Sequence, residues 1–305
     1  MRIGVLFVGK LEDAGFNALG LAGALAARES GLDVVILDGI PYELAAMQAA
    51  MRRALPDLGG LVFVGGQGDA ALPPVATEFP QKRFAVVQGH VCGANVASYD
   101  VLQEQSAFLA GHLAARTTKT GTVAHLSGHR VRPGLKGRAA FVAGVRHAAP
   151  DVRVLTGFCG SQDDNGVTRR WASAEIAEGA DVLFTMLNGG RQGAIDACAA
   201  AGVRQIGNVL DWCAIRPDVF LASAEARIDL CISHAIEAMV AGRQPPDVRR
   251  FGLADGAYVT LRLAADVPAS LAAEIADLKR AVAAGDVVIP TDYAGPEFAL
   301  EPSHA

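Results

Sequence analysis

The amino-acid sequence predicts an α/β protein made of two doubly wound units with parallel sheets. Short, continuous Val/Ile/Leu/Phe runs alternate with Ala-rich helical stretches, and the alternation restarts near residue 103. These runs lack the in/out pattern of half-exposed strands, as expected of parallel strands covered by helices on both faces. The length, 305 residues, is double an ordinary domain of about 150.

In the first unit, residues 2–8 read as a buried strand and 17–29 as a helix stopped by Gly31. Residues 33–37 are the next strand, 42–55 the next helix and 61–64 the third strand. A Gly-rich turn opens a helix ending near Glu78, and residues 83–87 form a fourth strand. The second unit begins with a helix at 103–116, then a strand at 122–126 and a helix at 137–147. Strands at 152–156, 182–186 and 205–209 alternate with helices at 167–178 and 190–201. A helix is expected at 225–241 after Phe220-Leu221, a half-exposed strand at 258–263 and an amphipathic helix at 268–284. Right-handed crossovers then place ligand binding at the carboxyl ends of the strands.

Composition narrows the function classes. Hydrophobic residues make up 51% and charged residues 19%, which excludes wholesale disorder. With 27 basic and 32 acidic residues, no basic block and a net charge of −5, neither nucleic acid nor an anionic membrane is the expected partner. The five cysteines have no C-x-x-C spacing and read as free thiols. No apolar run reaches the 18 or so residues of a membrane span, and residues 2–8 are too short for a signal core.

The strand-end segments carry the polar, aromatic and Gly residues of a small-molecule cleft: residues 9–17, 65–69, 88–90, 127–130, 158–163, 187–191 and 208–212. Gly66-Gln67-Gly68 begins a G-x-G-x-x-A match to a dinucleotide turn. It follows the third strand instead of the first, and no acidic residue ends the next strand, so a plain helix-opening turn is expected. The histidines lack metal-ligand spacing, and His90 stands alone at a strand end. Ser127 and Ser161 show no partnered base, there is no G-x-S-x-G elbow, and Asp163-Asp164 suits a helix N-terminus. Catalytic residues, metal and cofactor are all expected to be absent.

The segment Gly9-x-x-x-Asp13-x-x-Phe16-Asn17 after the first strand resembles the basic membrane protein family of solute-binding lipoproteins. Matching segments follow in order: Glu78-Phe79-Pro80 with Arg83-Phe84, then Asn95-Val96, and Phe108-Leu109-Ala110-Gly111 with Ala114-Ala115. Thr118-Lys119-Thr120-Gly121, Phe141 with Gly144, Pro150-Asp151, Gly179-Ala180-Asp181-Val182, Ile206-Gly207 with Asp211, and Gly252-Leu253 with Asp255-Gly256 complete the series. The resemblance implies a type I periplasmic-binding fold: two Rossmann-like lobes, three hinge crossovers and a ligand cleft between the lobes. The lobes expected are 1–100 plus 222–250, and 101–221 plus part of 251–305. Crossovers are expected near Ser98-Tyr99-Asp100, near Phe220-Leu221-Ala222, and after Arg249.

The implied function is non-enzymatic binding of a purine nucleoside, nucleobase or related heterocycle for an ABC importer. Its partners would be that ligand and the permease subunits, with the protein itself a monomer. The ligand-binding residues implied are Asp13, Phe16, Asn17, Gly66, His90, Gln105, Asn188, Asp211 and Trp212. The first-loop residues would meet the base, an aromatic ring would stack on it, and Asp211 would take the ribose hydroxyls. Asp13 and Asn17 also suit helix caps, and Trp212 suits a core position. Departures from the family pattern are Val101 for a Phe, Gln105 for a Glu, Ala226 for a Lys and Trp212 for a Gln. They point to a remodelled pocket. The location expected is periplasmic or lipid-anchored if a leader was removed, and otherwise cytoplasmic. The alternatives are a cytosolic ligand sensor of the same fold and a dinucleotide-dependent enzyme.

Overall fold

A computed structural model describes residues 1–300. The chain forms two compact units, one of residues 1–101 with 227–251 and the other of 102–226 with 252–305, so it passes between them three times. In chain order the first run contains β1 (Ile3–Val8), α1 (Phe16–Glu29), β2 (Val34–Ile40), α2 (Leu44–Ala54), β3 (Gly60–Val64), α3 (Gly68–Glu78), β4 (Arg83–Val87) and β5 (Val96–Val101). The second run contains α4 (Gln103–Thr117), β6 (Thr122–Ser127), α5 (Arg132–Ala148), β7 (Arg153–Phe158) and α6 (Asn165–Ala177). It continues with β8 (Val182–Met186), α7 (Arg191–Ala201), β9 (Arg204–Val209), α8 (Trp212–Ile215) and β10 (Phe220–Ala226). The chain then adds α9 (Ile228–Val240) and β11 (Arg249–Phe251) to the first unit, and β12 (Val259–Leu263) and α10 (Ala269–Ala284) to the second.

The first unit's sheet is wholly parallel in the order β11-β5-β4-β3-β1-β2. Every residue of β1 and β3 is buried, as their unbroken apolar sequences require. Leu6, Val8, Leu61, Phe63, Phe84 and Val86 meet α2 and α3 through Met47, Met51, Leu72 and Val75. The other face packs on the pair α1 and α9.

The second sheet runs β12-β10-β9-β8-β6-β7, parallel except for β12, which lies antiparallel on β10. That explains the alternating sequence of β12, an edge strand with one face partly exposed. On one face, Leu126, Leu155 and Leu183 pack with α6 and α7. On the other, α4 and α5 approach until backbones touch: a Cβ on Gly111 would strike the Phe141 carbonyl, and one on Gly144 the Phe108 carbonyl.

Some boundaries differ from those expected. Residues 98–100, expected at a crossover, lie inside β5, whose polar Ser98 and Asp100 are buried between β4 and β11. Residues 222–226, assigned above to the first lobe and in part to a helix, form the rest of β10. They pair with both β9 and β12, and that pairing overrides their helical composition.

Candidate functional site

In the order β2-β1-β3 the chain leaves β1 toward opposite sides, so the crevice at the carboxyl ends of β1 and β3 is the first unit's switch point. The loop after β1 lies there. Asp13 is 2% exposed, and its carboxylate accepts backbone N–H bonds from Gly15 (2.9 Å), Asn17 (2.9 Å) and Ala18 (3.0 Å). The anion therefore caps α1 and complements its positive end. Asn17 Nδ2 donates to the carbonyls of Val8 (2.7 Å) and Lys10 (2.9 Å), tying the loop back to its strand. The Phe16 side chain, set between these two anchors, is half-buried.

Tyr42, following β2, is 39% exposed, and its ring lies against Gly9. Gly9 has φ of 82°, so both its conformation and the ring overhead require glycine. The sequence carried no signal for Tyr42, because it stands outside the family-like segment. Gly66 is half-buried in the turn from β3 to α3. Asp69, in the first turn of α3, accepts the His90 backbone N–H at 2.8 Å and pairs with the His90 Nδ1. His90 thus joins the loop after β4 to the start of α3. Gln88, at the head of the expected 88–90 segment, holds φ of 65° and accepts the Val101 N–H through Oε1 at 2.8 Å.

In the second unit the order β7-β6-β8 puts the switch point at the ends of β6 and β8. Asn188 follows β8 half-buried; its backbone N–H donates to the Gln162 carbonyl at 3.2 Å. Asp211 follows β9, caps α8 through Ala214 N–H (3.2 Å), and pairs with Arg262 Nε at 3.0 Å. Its side chain remains one-third exposed and borders a groove of about 480 Å³ with Cys213, Ala214 and Arg262. Val209, a β-branched residue, holds φ of 71° just before this loop. Such strain persists where the surroundings impose it, as they do at binding sites.

Trp212 is core. It is 6% exposed, donates from Nε1 to the Asn208 carbonyl at 3.0 Å and stacks on Phe220 with 5.4 Å between centroids. The guanidinium of buried Arg191 lies 4.6 Å from its ring. Gln105 Oε1 accepts the Leu253 N–H at 2.7 Å, fixing the segment by which the chain re-enters this unit. The structure thus brings Asp13, Phe16, Asn17 and Gly66 to one switch point and Asn188 to the other. His90 and Asp211 sit one strand away; Gln105 follows the carboxyl end of β5, with its Oε1 bonded to Leu253, and Trp212 is buried beneath the β9 end.

One serine does have a nearby base: Ser127 Oγ lies 2.9 Å from His125 Nε2, whose Nδ1 faces Thr156 Oγ1 at 3.2 Å. Ser127 is 1% exposed, and burial drives the His125 imidazole down to about 3. So weak and sealed a base is unsuited to activating a nucleophile. Among the described residues no group of three or more His, Cys, Asp or Glu could hold a metal ion, and no helix is long and apolar enough to cross a membrane.

The Bmp family model, described as ABC transporter substrate-binding protein PnrA-like, matches residues 1–280. The transcriptional activator protein Med of Bacillus subtilis is 24% identical over 232 residues, covering 75% of this chain and 71% of its own. A purine-binding protein of Brucella abortus is 25% identical over 149 residues, 49% of this chain and 42% of its own. The crystal structure of an ABC transporter solute-binding protein from Aeropyrum pernix K1 superposes with a TM-score of 0.84 at 23% identity, covering 96% of this chain and 94% of its own. That likeness shows the type I periplasmic-binding fold.

Proposed function

Because this chain belongs to the Bmp family of ABC transporter substrate-binding proteins, we propose that its solute is a purine nucleoside, nucleobase or closely related heterocycle. The observation that carries this reading is the loop after β1. Asp13 and Asn17 hydrogen-bond to backbone on either side of Phe16, which braces the loop and leaves the Phe16 side chain half-buried at the switch point. An aromatic side chain carried on a braced loop can stack on a heterocycle without the cost of ordering that loop. A relative named for purine binding supports the same chemistry.

In this proposal Phe16 and Tyr42 supply aromatic surface, while Asn188 and the free edge of His90 supply hydrogen bonds. Asp211 takes hydroxyls when a ribose is present, exchanging part of its pairing with Arg262 for the diol. Asp13, Asn17 and Gln105 shape the loops, and Trp212 supports the loop after β9 from within. The solute is then handed to ABC permease subunits, with the protein periplasmic or anchored at the membrane and acting as a monomer. Calorimetric titration of protein refolded from denaturant against nucleosides, nucleobases and ring-free sugars tests this. Binding confined to purines, weakened in Phe16→Ala, is expected; binding of sugars alone would overturn it.

A second reading, a cytosolic sensor of the same ligand class, is favoured by the similarity to a transcriptional activator. Cell fractionation separates the two, since a sensor remains with the cytosol and an importer component does not.

A further inference from the structure

The family match ends at residue 280, yet the chain continues past α10 as a strap along the second unit. The strap is firmly seated. The Phe298 N–H donates to the Thr156 carbonyl at 2.8 Å, adding to the open edge of β7, and the Phe298 ring meets Trp171 edge-on with 5.9 Å between centroids. Tyr293 lies 5.0 Å from the Arg138 guanidinium.

Between these anchors stands Glu297. Its Oε1 accepts from Arg130 Nη1 at 3.1 Å, and it also pairs with Arg130 Nη2 and Arg138 Nη1. The two guanidiniums lie 4.8 and 5.0 Å from the Phe158 ring centroid. Arg138 belongs to α5 and its side chain is 6% exposed, a fixed post. Arg130 belongs to the loop after β6, at the second unit's switch point, and its side chain is 54% exposed. A bidentate carboxylate shared with a buried arginine restrains this exposed one far more than solvent would.

We infer that Glu297 is a positioning residue for solute binding, acting through Arg130 to hold the 128–131 loop, in a way that rests on the reading of the strand-end rims as the solute site. The seated strap brings the carboxylate to the loop, so the loop's ordering cost is met before solute arrives. The Arg130 guanidinium, helped by Arg138, holds the Glu297 carboxyl below its ordinary range, so the latch is ionic at neutral pH.

The test is Glu297→Gln in the full chain, with three readouts: amide hydrogen exchange of residues 128–131, purine affinity at low and at 0.5 M salt, and melting temperature. We expect exchange in that loop to quicken by about threefold to tenfold, and affinity to fall by a similar factor at low salt. The affinity gap should narrow at about 0.5 M salt, where the wild-type latch is itself screened, a dependence that a purely structural role would not show. Because the substitution also removes the charge facing buried Arg138, a fall of a few degrees in melting temperature should accompany it, and the local exchange and the salt dependence carry the inference. Unchanged loop exchange overturns the inference, and so does quicker exchange with unchanged affinity. Should the wild type bind no purine, the ligand reading fails by itself, and exchange at 128–131 alone then decides the latch.

Discussion

Replacing Glu175 by Gln should make the protein's stability less sensitive to pH. Glu175 lies on the buried face of α6 with Thr168 and Ala172, is fully buried, and neither carboxylate oxygen has a hydrogen-bond partner. The nearby Cys198 thiol is pushed up to about 12, by burial first and by Glu175 second. Burial pushes the Glu175 carboxyl well above its ordinary range, so the folded chain keeps a proton that the unfolded chain releases. The folded state therefore binds more protons, and stability is fullest below the unfolded pKa of roughly 4.3 and declines as pH rises toward the folded value. The limiting slope is about 1.4 kcal/mol per pH unit for one such group. Glutamine keeps the shape and removes the titration, while any cost of its buried amide is the same at every pH. The stability difference, variant minus wild type, should grow between pH 5 and 7 by up to about 2.7 kcal/mol. Urea unfolding followed by circular dichroism at pH 5, 6 and 7 measures it. A difference that stays flat across that range refutes the reasoning.

Three further outcomes are expected. Asp13→Ala, which removes three backbone acceptor bonds at the start of α1, should cost about 2–4 kcal/mol in urea unfolding, and Asp13→Asn about half as much. Gly111→Ala forces a methyl into the Phe141 carbonyl; a loss of about 1–3 kcal/mol, seen as a drop of several degrees in melting temperature, should follow. Phe16→Ala should weaken purine binding about tenfold by calorimetry, in line with an aromatic contact of roughly 0.5–1.5 kcal/mol, while barely changing the melting temperature.

Much of this fold was readable from residue order. Continuous apolar strands such as β1, β3 and β8 announced parallel pairing because nothing but double burial suits them. β5 and the end of β10 were not readable, since Ser98, Asp100 and Glu225 look like loop or helix residues until their neighbours supply partners. Glu225 meets Arg262 across the antiparallel pair, a contact between residues far apart in sequence. At the site, the loop carrying Asp13, Phe16 and Asn17 was legible as a loop, but the division of labour within it was not. That the two polar residues hold the backbone while the ring stays half-exposed depends on bonds to Val8, Lys10, Gly15 and Ala18. Tyr42, and the pairing of Arg130 with Glu297, escaped notice because the partners involved are distant in the chain.

The central claim is that this Bmp-family chain binds a purine-type solute, and a competition experiment tests it most directly. Protein freed of endogenous solute by unfolding and refolding would be mixed with equal concentrations of nucleosides, nucleobases, ribose, glucose and amino acids, then examined by native mass spectrometry. A single adduct with the mass of a purine nucleoside or nucleobase, reduced in Phe16→Ala, is the predicted result. A sugar or amino-acid adduct, or no adduct to correctly refolded protein, would contradict the account.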